Sequence, residues 1–194
     1  MLIHKITDLA QYAVSPVIRE GDTVIDATAG NGLDTEFLAA KAGPSGRVYA
    51  FDIQKDALVR TAERLKEKRL DQQVTLIQSG HENLARFISE PVSAVMYNLG
   101  YLPGGSRELT TGLDTTLSSF KQALSLLKQG GIITVVLYPG HAEGKHEKEG
   151  LMPVISRLSS AEYTVLHQGY LNKKNNPPEL VVVQKVLFSS EHPY

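Results

Sequence analysis

The sequence contains no cysteine. That removes disulfides, thiolate metal ligands and thiol nucleophiles together, and it fits a reducing cytoplasm. Neither sign of charge dominates: 20 Lys and Arg stand against 21 Asp and Glu, a formal net charge of −1. This balance argues against a bulk cationic nucleic-acid binder and leaves a local basic patch open. No apolar run approaches the ~20 residues of a membrane span, and the N-terminus lacks the apolar stretch of a signal peptide. The six histidines are scattered without ligand spacing, so no metal is expected. The expectation is a cytoplasmic protein without membrane association. With 194 residues, 42% of them hydrophobic and 21% charged, the sequence has the make-up of one globular domain over 1–194.

Periodicity predicts the elements. Leu2, Ile6, Leu9, Ala13 and Val17 recur at helical spacing over 2–19, with Pro16 bending or ending the helix. This N-terminal helix is expected to pack on the domain. Strands are predicted over 23–27, 47–51, 74–77, 92–97 and 132–138, the last nearly all apolar and of the kind buried on both faces. Helices are predicted over 33–42 (Phe37 and Leu38 inward), 55–70 (Leu58, Ala62 and Leu65 on one face) and 81–89. A further helix carries Leu113, Leu117, Phe120, Leu124 and Leu127 and is closed by Gly130-Gly131. Residues 139–150 read as a polar segment ahead of a helix over 152–158, and 163–170 and 180–187 as two last strands. Five strand-then-helix units imply a parallel sheet with helices on both faces. The final two strands, with no helix between them, form a hairpin-like antiparallel addition at one edge.

The chain is organised around 24–34, where a β-branched run passes Asp26 and turns through Ala29-Gly30-Asn31-Gly32 into a helix start at Asp34. Glycines there let backbone approach a ligand closely, and ligands of such sheets bind beyond the carboxyl ends of the strands. Asp52 ends the second strand, 20 residues beyond Gly32, where an acid can accept both hydroxyls of a ribose. A dinucleotide fingerprint would need a third glycine, but Thr35 stands in its place. A sulfonium amino acid needs no diphosphate cradle, and its positive groups favour acids such as Asp26 and Asp34.

The strand, Asp, Gly-x-Gly and second-strand acid resemble the class I, Rossmann-like, S-adenosylmethionine-dependent methyltransferases over essentially the whole chain. That resemblance implies an α/β fold with a seven-stranded, mostly parallel sheet, one antiparallel strand near the C-terminus and helices on both faces. It implies that Ala29, Gly30, Asn31 and Gly32 line the methionine part of S-adenosyl-L-methionine. Asp26 and Asp34 would lie beside its charged groups, Asp52 would take the ribose, Gln54 would lie by the adenosine, and His81 and Glu82 would contact adenine or close the site. For His81 and Glu82 an ordinary helix N-terminus is the alternative. Asn98-Leu99-Gly100-Tyr101 resembles the Asn-Pro-Pro-Tyr motif of methyltransferases that act on nitrogen, with Leu99 and Gly100 replacing both prolines. It implies Asn98 and Tyr101 as the catalytic pair: the amide accepts from the target amine and the aromatic ring packs on the substrate.

Asp-Ala-Thr-Ala-Gly-Asn-Gly, Asn-Leu-Gly-Tyr-Leu-Pro-Gly-Gly, Tyr-Pro-Gly-His and Asn-Asn-Pro-Pro-Glu together resemble a stand-alone bacterial family first labelled rRNA methylases. Its characterised members methylate 5-aminomethyl-2-thiouridine at the tRNA wobble position. The resemblance implies conversion of the 5-aminomethyl to the 5-methylaminomethyl group at uridine 34, with the tRNA anticodon stem-loop as partner. His141, after the fifth strand, is either an assistant to amine deprotonation or RNA binding, or an exposed loop residue. Lys173 and Lys174, in a turn-rich loop, carry either phosphate contacts or solvent-facing charge. Lys145, His146 and Lys148 among Glu143, Glu147 and Glu149 read as a solvated helix face. Methyl transfer to rRNA or a small amine is the alternative within the class. A nicotinamide-dependent oxidoreductase is disfavoured by the missing glycine and by the lack of a Tyr-x-x-x-Lys pair. A homodimer is left open.

Overall fold

The computed structural model describes residues 5–100 and 111–187. Within them the chain runs α1 (Ile6–Val14), β1 (Thr23–Asp26), α2 (Leu33–Ala42), β2 (Arg47–Asp52), α3 (Lys55–Lys68) and β3 (Val74–Gln78). It continues through a 3-10 turn (His81–Asn83) into α4 (Leu84–Phe87), β4 (Val92–Asn98), α5 (Leu113–Leu126), β5 (Leu127–Leu137), α6 (Ala142–Ile155), β6 (Tyr163–Gln168) and β7 (Glu179–Lys185).

The seven strands form one sheet in the order β3-β2-β1-β4-β5-β7-β6. The pairs from β3 across to β5 are parallel, and β7 is antiparallel to both neighbours. One antiparallel strand in a mostly parallel sheet is the expected class. The last two strands do pair as a hairpin; the second folds back to lie beside β5 and leaves β6 at the edge. The chain runs outward from β1 to β3 and then returns to β4, so the strand order reverses between β1 and β4. A crevice opens at such a point, beyond the carboxyl ends of the strands.

Successive strand residues face opposite sides, and two cores result. Val24, Val48, Ala94, Met96 and Val136 pack with Ile6, Ala10 and Val14 of α1, Leu38 and Ala39 of α2, and Leu65 of α3. Ile25, Val95, Tyr97, Ile133 and Val135 pack with Leu84, Phe120 and Ala123 and with Leu151 and Ile155 of α6. β5 from Gly131 to Leu137 is buried throughout, as its nearly all-apolar run predicts.

Four local readings change. The first α-helix is shorter than 2–19: it gives way at Ser15 to a 3-10 turn containing Pro16, which lacks the N–H that an α-helix needs. On α3 the buried positions are Ala57, Leu58, Thr61 and Leu65, while Ala62 faces solvent. Thr61 takes the inner position because its hydroxyl donates to the Gly30 carbonyl at 3.2 Å. The same side chain leaves no room for a Cβ at Gly32, where Thr61 Oγ1 would be 2.9 Å away.

On α5 the fully buried side chains are Thr116, Ser119, Phe120 and Ala123, with Leu117 and Leu124 on the flanks. This helix ends at Leu126, so Leu127 to Gly131 already belong to β5. Residues 139–150 are not an open polar segment, because α6 begins at Ala142 with His141 as its cap. The inward stripe of α6 is Glu147, Leu151 and Ile155 at four-residue steps. Glu147 is 3% exposed, far from a solvated position, and accepts hydrogen bonds from Thr116 Oγ1 (2.6 Å) and Thr111 Oγ1 (3.0 Å). Satisfied acceptor sites make burial of this polar group tolerable, and burial pushes its carboxyl above the usual range.

Candidate active site

A cavity of about 1040 Å³ lies beyond the carboxyl ends of β1, β2, β4 and β5. Its floor is the turn that follows β1. Gly30 (φ +54) and Gly32 (φ +77) both adopt left-handed conformations, which is the physical requirement for glycine there. The turn is clamped from several sides. Ala29 N donates to Phe51 O at 2.8 Å, Arg64 Nε donates to Asn31 O at 2.9 Å, and Arg60 Nε donates to Asn31 Oδ1 at 3.0 Å. A loop held this way presents a fixed surface to a ligand.

Asp52 closes one wall. Its Oδ2 accepts from Gly30 N at 2.9 Å and its Oδ1 from Gln54 N at 2.8 Å. A carboxylate has about four acceptor sites, so one lone pair on each oxygen stays available for a pair of vicinal hydroxyls. Opposite, Asp34 is 9% exposed and lines the cavity. Gln11 Nε2 of α1 donates to its Oδ1 at 2.7 Å, while desolvation raises its pKa. A nearly buried acid supported by one neutral donor is a receptor for a cation. Ala29, Gly30, Asn31, Gln54, His81 and Glu82 also line the cavity. Burial keeps His81 neutral by lowering its pKa. Its Nδ1 lies 3.2 Å from Ala27 O, so that nitrogen carries the hydrogen and braces the entry to the turn. The Glu82 side chain folds back over Gly80, where any Cβ would collide with its carboxylate.

Asn98 and the residues after β5 form the far wall. Asn98 N donates to Thr28 Oγ1 at 2.8 Å, which locks the end of β4 to the turn. Tyr138 OH donates to Asn98 Oδ1 at 2.8 Å. His141 lines the same wall, and its Nδ1 accepts from Gly144 N at 3.1 Å as the cap of α6. Glu143 Oε2 is 3.3 Å from that nitrogen too, but one nitrogen cannot accept the amide hydrogen and donate to the carboxylate at once. The helix fixes the amide, so we assign the hydrogen of the ring to Nε2; the exposed Glu143 is an electrostatic neighbour.

The structure therefore brings ten residues singled out in the sequence to one cavity: Ala29, Gly30, Asn31, Asp34, Asp52, Gln54, His81, Glu82, Asn98 and His141. Asp26 and Gly32 lie beneath the turn rather than on the wall, shaping it from behind. Lys173 and Lys174 are exposed and off the cavity wall, with Lys173 Nζ 3.7 Å from the Tyr170 ring centroid. Their loop reaches the wall instead through Asn175, Asn176, Pro177 and Pro178. Asn175 (φ +65) and Asn176 (φ +47) are both left-handed, a conformation asparagine tolerates better than most residues. Tyr101 lies outside the described residues. Gln11, Tyr138 and the 175–178 segment were not foreseen as site residues. The Tyr-Pro-Gly-His and Asn-Asn-Pro-Pro runs were the available signal for the last two.

Asp26 is fully buried and accepts from Thr35 Oγ1 (2.6 Å) and Thr28 N (3.1 Å). Desolvation chiefly, then the Asp34 charge, push its pKa up to about 7. The native state holds this proton more tightly than the unfolded chain. Its contribution to stability is therefore complete below about 3.8 and is lost as pH rises through about 7. Asp26→Asn can accept from Thr28 N with its amide oxygen and donate its NH₂ to Thr35 Oγ1, and it removes the titration. It is expected to raise the melting temperature of the ligand-free protein at pH 8 by a few degrees and by less than half as much at pH 5. Parallel melting curves for the two proteins across that range check this; equal offsets at both pH values would contradict it.

Among the described residues no helix is long and apolar enough to cross a membrane, and no cluster of His, Asp or Glu suits a metal. Residues 48–184 match a family model described as "Putative rRNA methylase". The chain is 39% identical over 186 residues to the chloroplastic tRNA (mnm(5)s(2)U34)-methyltransferase of Arabidopsis thaliana, covering 89% of this chain and 67% of that one. In structure it is similar to a protein described as a "putative rRNA-methylase" from Clostridium thermocellum (TM-score 0.93, 41% identity, 96% of this chain and 100% of that one). It is also similar to a Streptococcus mutans methyltransferase solved with S-adenosylhomocysteine (TM-score 0.87, 35% identity, 95% and 100%).

Proposed function

The chain belongs to the rRNA methylase family, and from that membership we propose a specific reaction for this S-adenosyl-L-methionine-dependent methyltransferase. The reaction is transfer of one methyl group to the 5-aminomethyl nitrogen of uridine 34 in tRNA. The observation that carries it is the placement of Asn98 on the wall of the cavity whose other walls are Asp34 and Asp52. The 39% identity to a wobble-uridine methyltransferase supplies the acceptor class.

The residues present fit the cofactor. The free lone pairs of Asp52 suit the two ribose hydroxyls, the nearly buried Asp34 suits the ammonium end, and the Ala29-Gly30-Asn31 backbone lines the space for the methionine chain. When bound, S-adenosylmethionine supplies a methyl carbon made electrophilic by its sulfonium. The rest of the catalysis falls to positioning by the protein. Asn98 Oδ1 accepts one amine N–H and so orients the nitrogen lone pair along the line of displacement. A C–N bond forms as the C–S bond breaks, the electron pair stays on sulfur, and the proton of the alkylated nitrogen passes to solvent. Tyr101, in this reading, packs on the uridine. Polar wall residues from 138 to 143 and from 175 to 178 complete the acceptor side. His141 lines this side as the cap of α6, and the exposed Lys173 and Lys174, outside the cavity, are assigned to the phosphates of an anticodon stem-loop.

The test is transfer of labelled methyl by the purified protein to tRNA from cells lacking this activity. Label is expected in a nucleoside with the mass of the 5-methylaminomethyl product. Labelled rRNA or a labelled small amine, with unlabelled tRNA, would replace the acceptor while retaining the enzyme class.

A further inference from the structure

The two prolines of the Asn-Pro-Pro-Tyr pattern stiffen the backbone beside the asparagine, and this chain has neither. What replaces them is contact with β5. Leu99 is buried, and its N–H donates to Val136 O at 3.0 Å, a bond that a proline could not make. Gly100 has φ +146, a region that L side chains rarely adopt, and the Tyr138 ring lies against it; a Cβ there would meet Tyr138 Cδ2 at 3.4 Å. From that seat the Tyr138 hydroxyl reaches Asn98 Oδ1 at 2.8 Å.

We propose that Tyr138 is a positioning residue for methyl transfer: its hydroxyl fixes the rotation of the Asn98 carboxamide, leaving the second Oδ1 lone pair for the acceptor N–H. The inference rests on the reading of Asn98 as the acceptor-holding group. A carboxamide can rotate so that its NH₂ and its oxygen exchange places, and with NH₂ forward it would oppose the hydrogens of the amine. A donor fixed on the oxygen favours one of the two orientations. Tyr138 is suited to be that donor because burial and the Asp34 charge raise its pKa, so the phenol keeps its hydrogen. Glycine at position 100 is called for by its φ of +146 rather than by the ring, which a Cβ would meet only at ordinary contact distance.

Tyr138→Phe keeps the ring and removes only the hydroxyl. Expected are a roughly tenfold fall in kcat and a cofactor Kd within about twofold of wild type, because one hydrogen bond is lost on the acceptor side alone. In an Asn98→Ala background the same change should alter kcat less than about twofold, since its object is gone. A purely structural role would instead give equal losses in both backgrounds. The Asn98 side-chain amide resonances of ¹⁵N-labelled protein provide a readout that needs no acceptor. They should be sharp in wild type and shifted and broadened in Tyr138→Phe. Unchanged resonances, or additive kinetic losses, would overturn the role of Tyr138. A wild-type protein that leaves aminomethyl tRNA unlabelled would overturn the acceptor assignment, and the resonances would still decide Tyr138.

Discussion

Asn98→Ala is expected to lower kcat by roughly 10²-fold or more, because a misplacement near 1 Å at the reacting centre costs that much. Cofactor affinity by calorimetry should hold within about threefold, as the acids proposed to hold the cofactor are untouched. The separation follows from where the two halves of Asn98 are used. Its backbone N–H is committed to Thr28 Oγ1, so the strand end and the cofactor turn keep their junction in the alanine variant. Only the carboxamide is removed, and with it the acceptor for the amine N–H and the partner of Tyr138. A primary amine left free to rotate presents its lone pair to the methyl carbon in only a small fraction of its orientations. Single-turnover rates at saturating cofactor measure the chemical step directly. A rate within a factor of three of wild type would remove Asn98 from the reaction. A matched loss in cofactor affinity would move it to the other side of the cavity.

The sheet was legible because its strands are short apolar runs set between turn residues, and each carries a pattern that only one arrangement buries. β5 is the clear instance: seven consecutive buried residues, 131 to 137, demand cover on both faces. Helix faces were less legible where small polar residues replace apolar ones. Thr61 is buried on α3 in place of Ala62 because the glycine turn comes within touching distance of it, a contact that no helical periodicity encodes. Glu147 has the same lesson: among four charged neighbours and a histidine it reads as solvated, yet Thr111 and Thr116 supply the donors that allow its burial. α6 was misjudged at both ends for that reason, as its inward stripe starts on a carboxylate and its last turn holds Pro153.

Cavity residues on strand ends could be read from sequence because topology alone brings strand ends together. Asp52 and Asn98 are 46 positions apart and meet at one cavity through the reversal of strand order between β1 and β4. Side chains that serve other side chains could not be read that way. Gln11 supports Asp34 from a helix that carries no motif, and Tyr138 supports Asn98 from the next strand. At Asp26 the structure shows packing where the sequence suggests a ligand. Its place before the glycine turn suggests ligand contact, but Thr35 and Thr28 hold it inside the loop.

Asp52→Ala is expected to weaken S-adenosylmethionine binding by roughly 10²-fold, about 3 kcal/mol, since hydrogen bonds to a charged acceptor contribute about 1.5–3 kcal/mol each and do not add fully. Two losses combine. The ribose hydroxyls lose their paired acceptor, and the N–H groups of Gly30 and Gln54 lose the carboxylate that fixes both the turn and the start of α3. The second loss also acts without ligand, so the free variant should melt a few degrees lower, in keeping with one or two partly exposed donors left unpaired. The rise in melting temperature on adding cofactor separates the two. A variant that only loosened the turn would regain most of that rise at high cofactor, whereas loss of the ribose acceptor shifts the whole titration to higher concentration. Asp52→Asn should not rescue binding well, because its NH₂ group must face the N–H of either Gly30 or Gln54. In steady-state assays the defect should fall on the cofactor KM, with kcat largely restored at saturation, the opposite of the pattern expected for Asn98. An Asp52→Ala protein with wild-type cofactor affinity would place the ribose elsewhere and leave Asp52 as the brace of the turn alone.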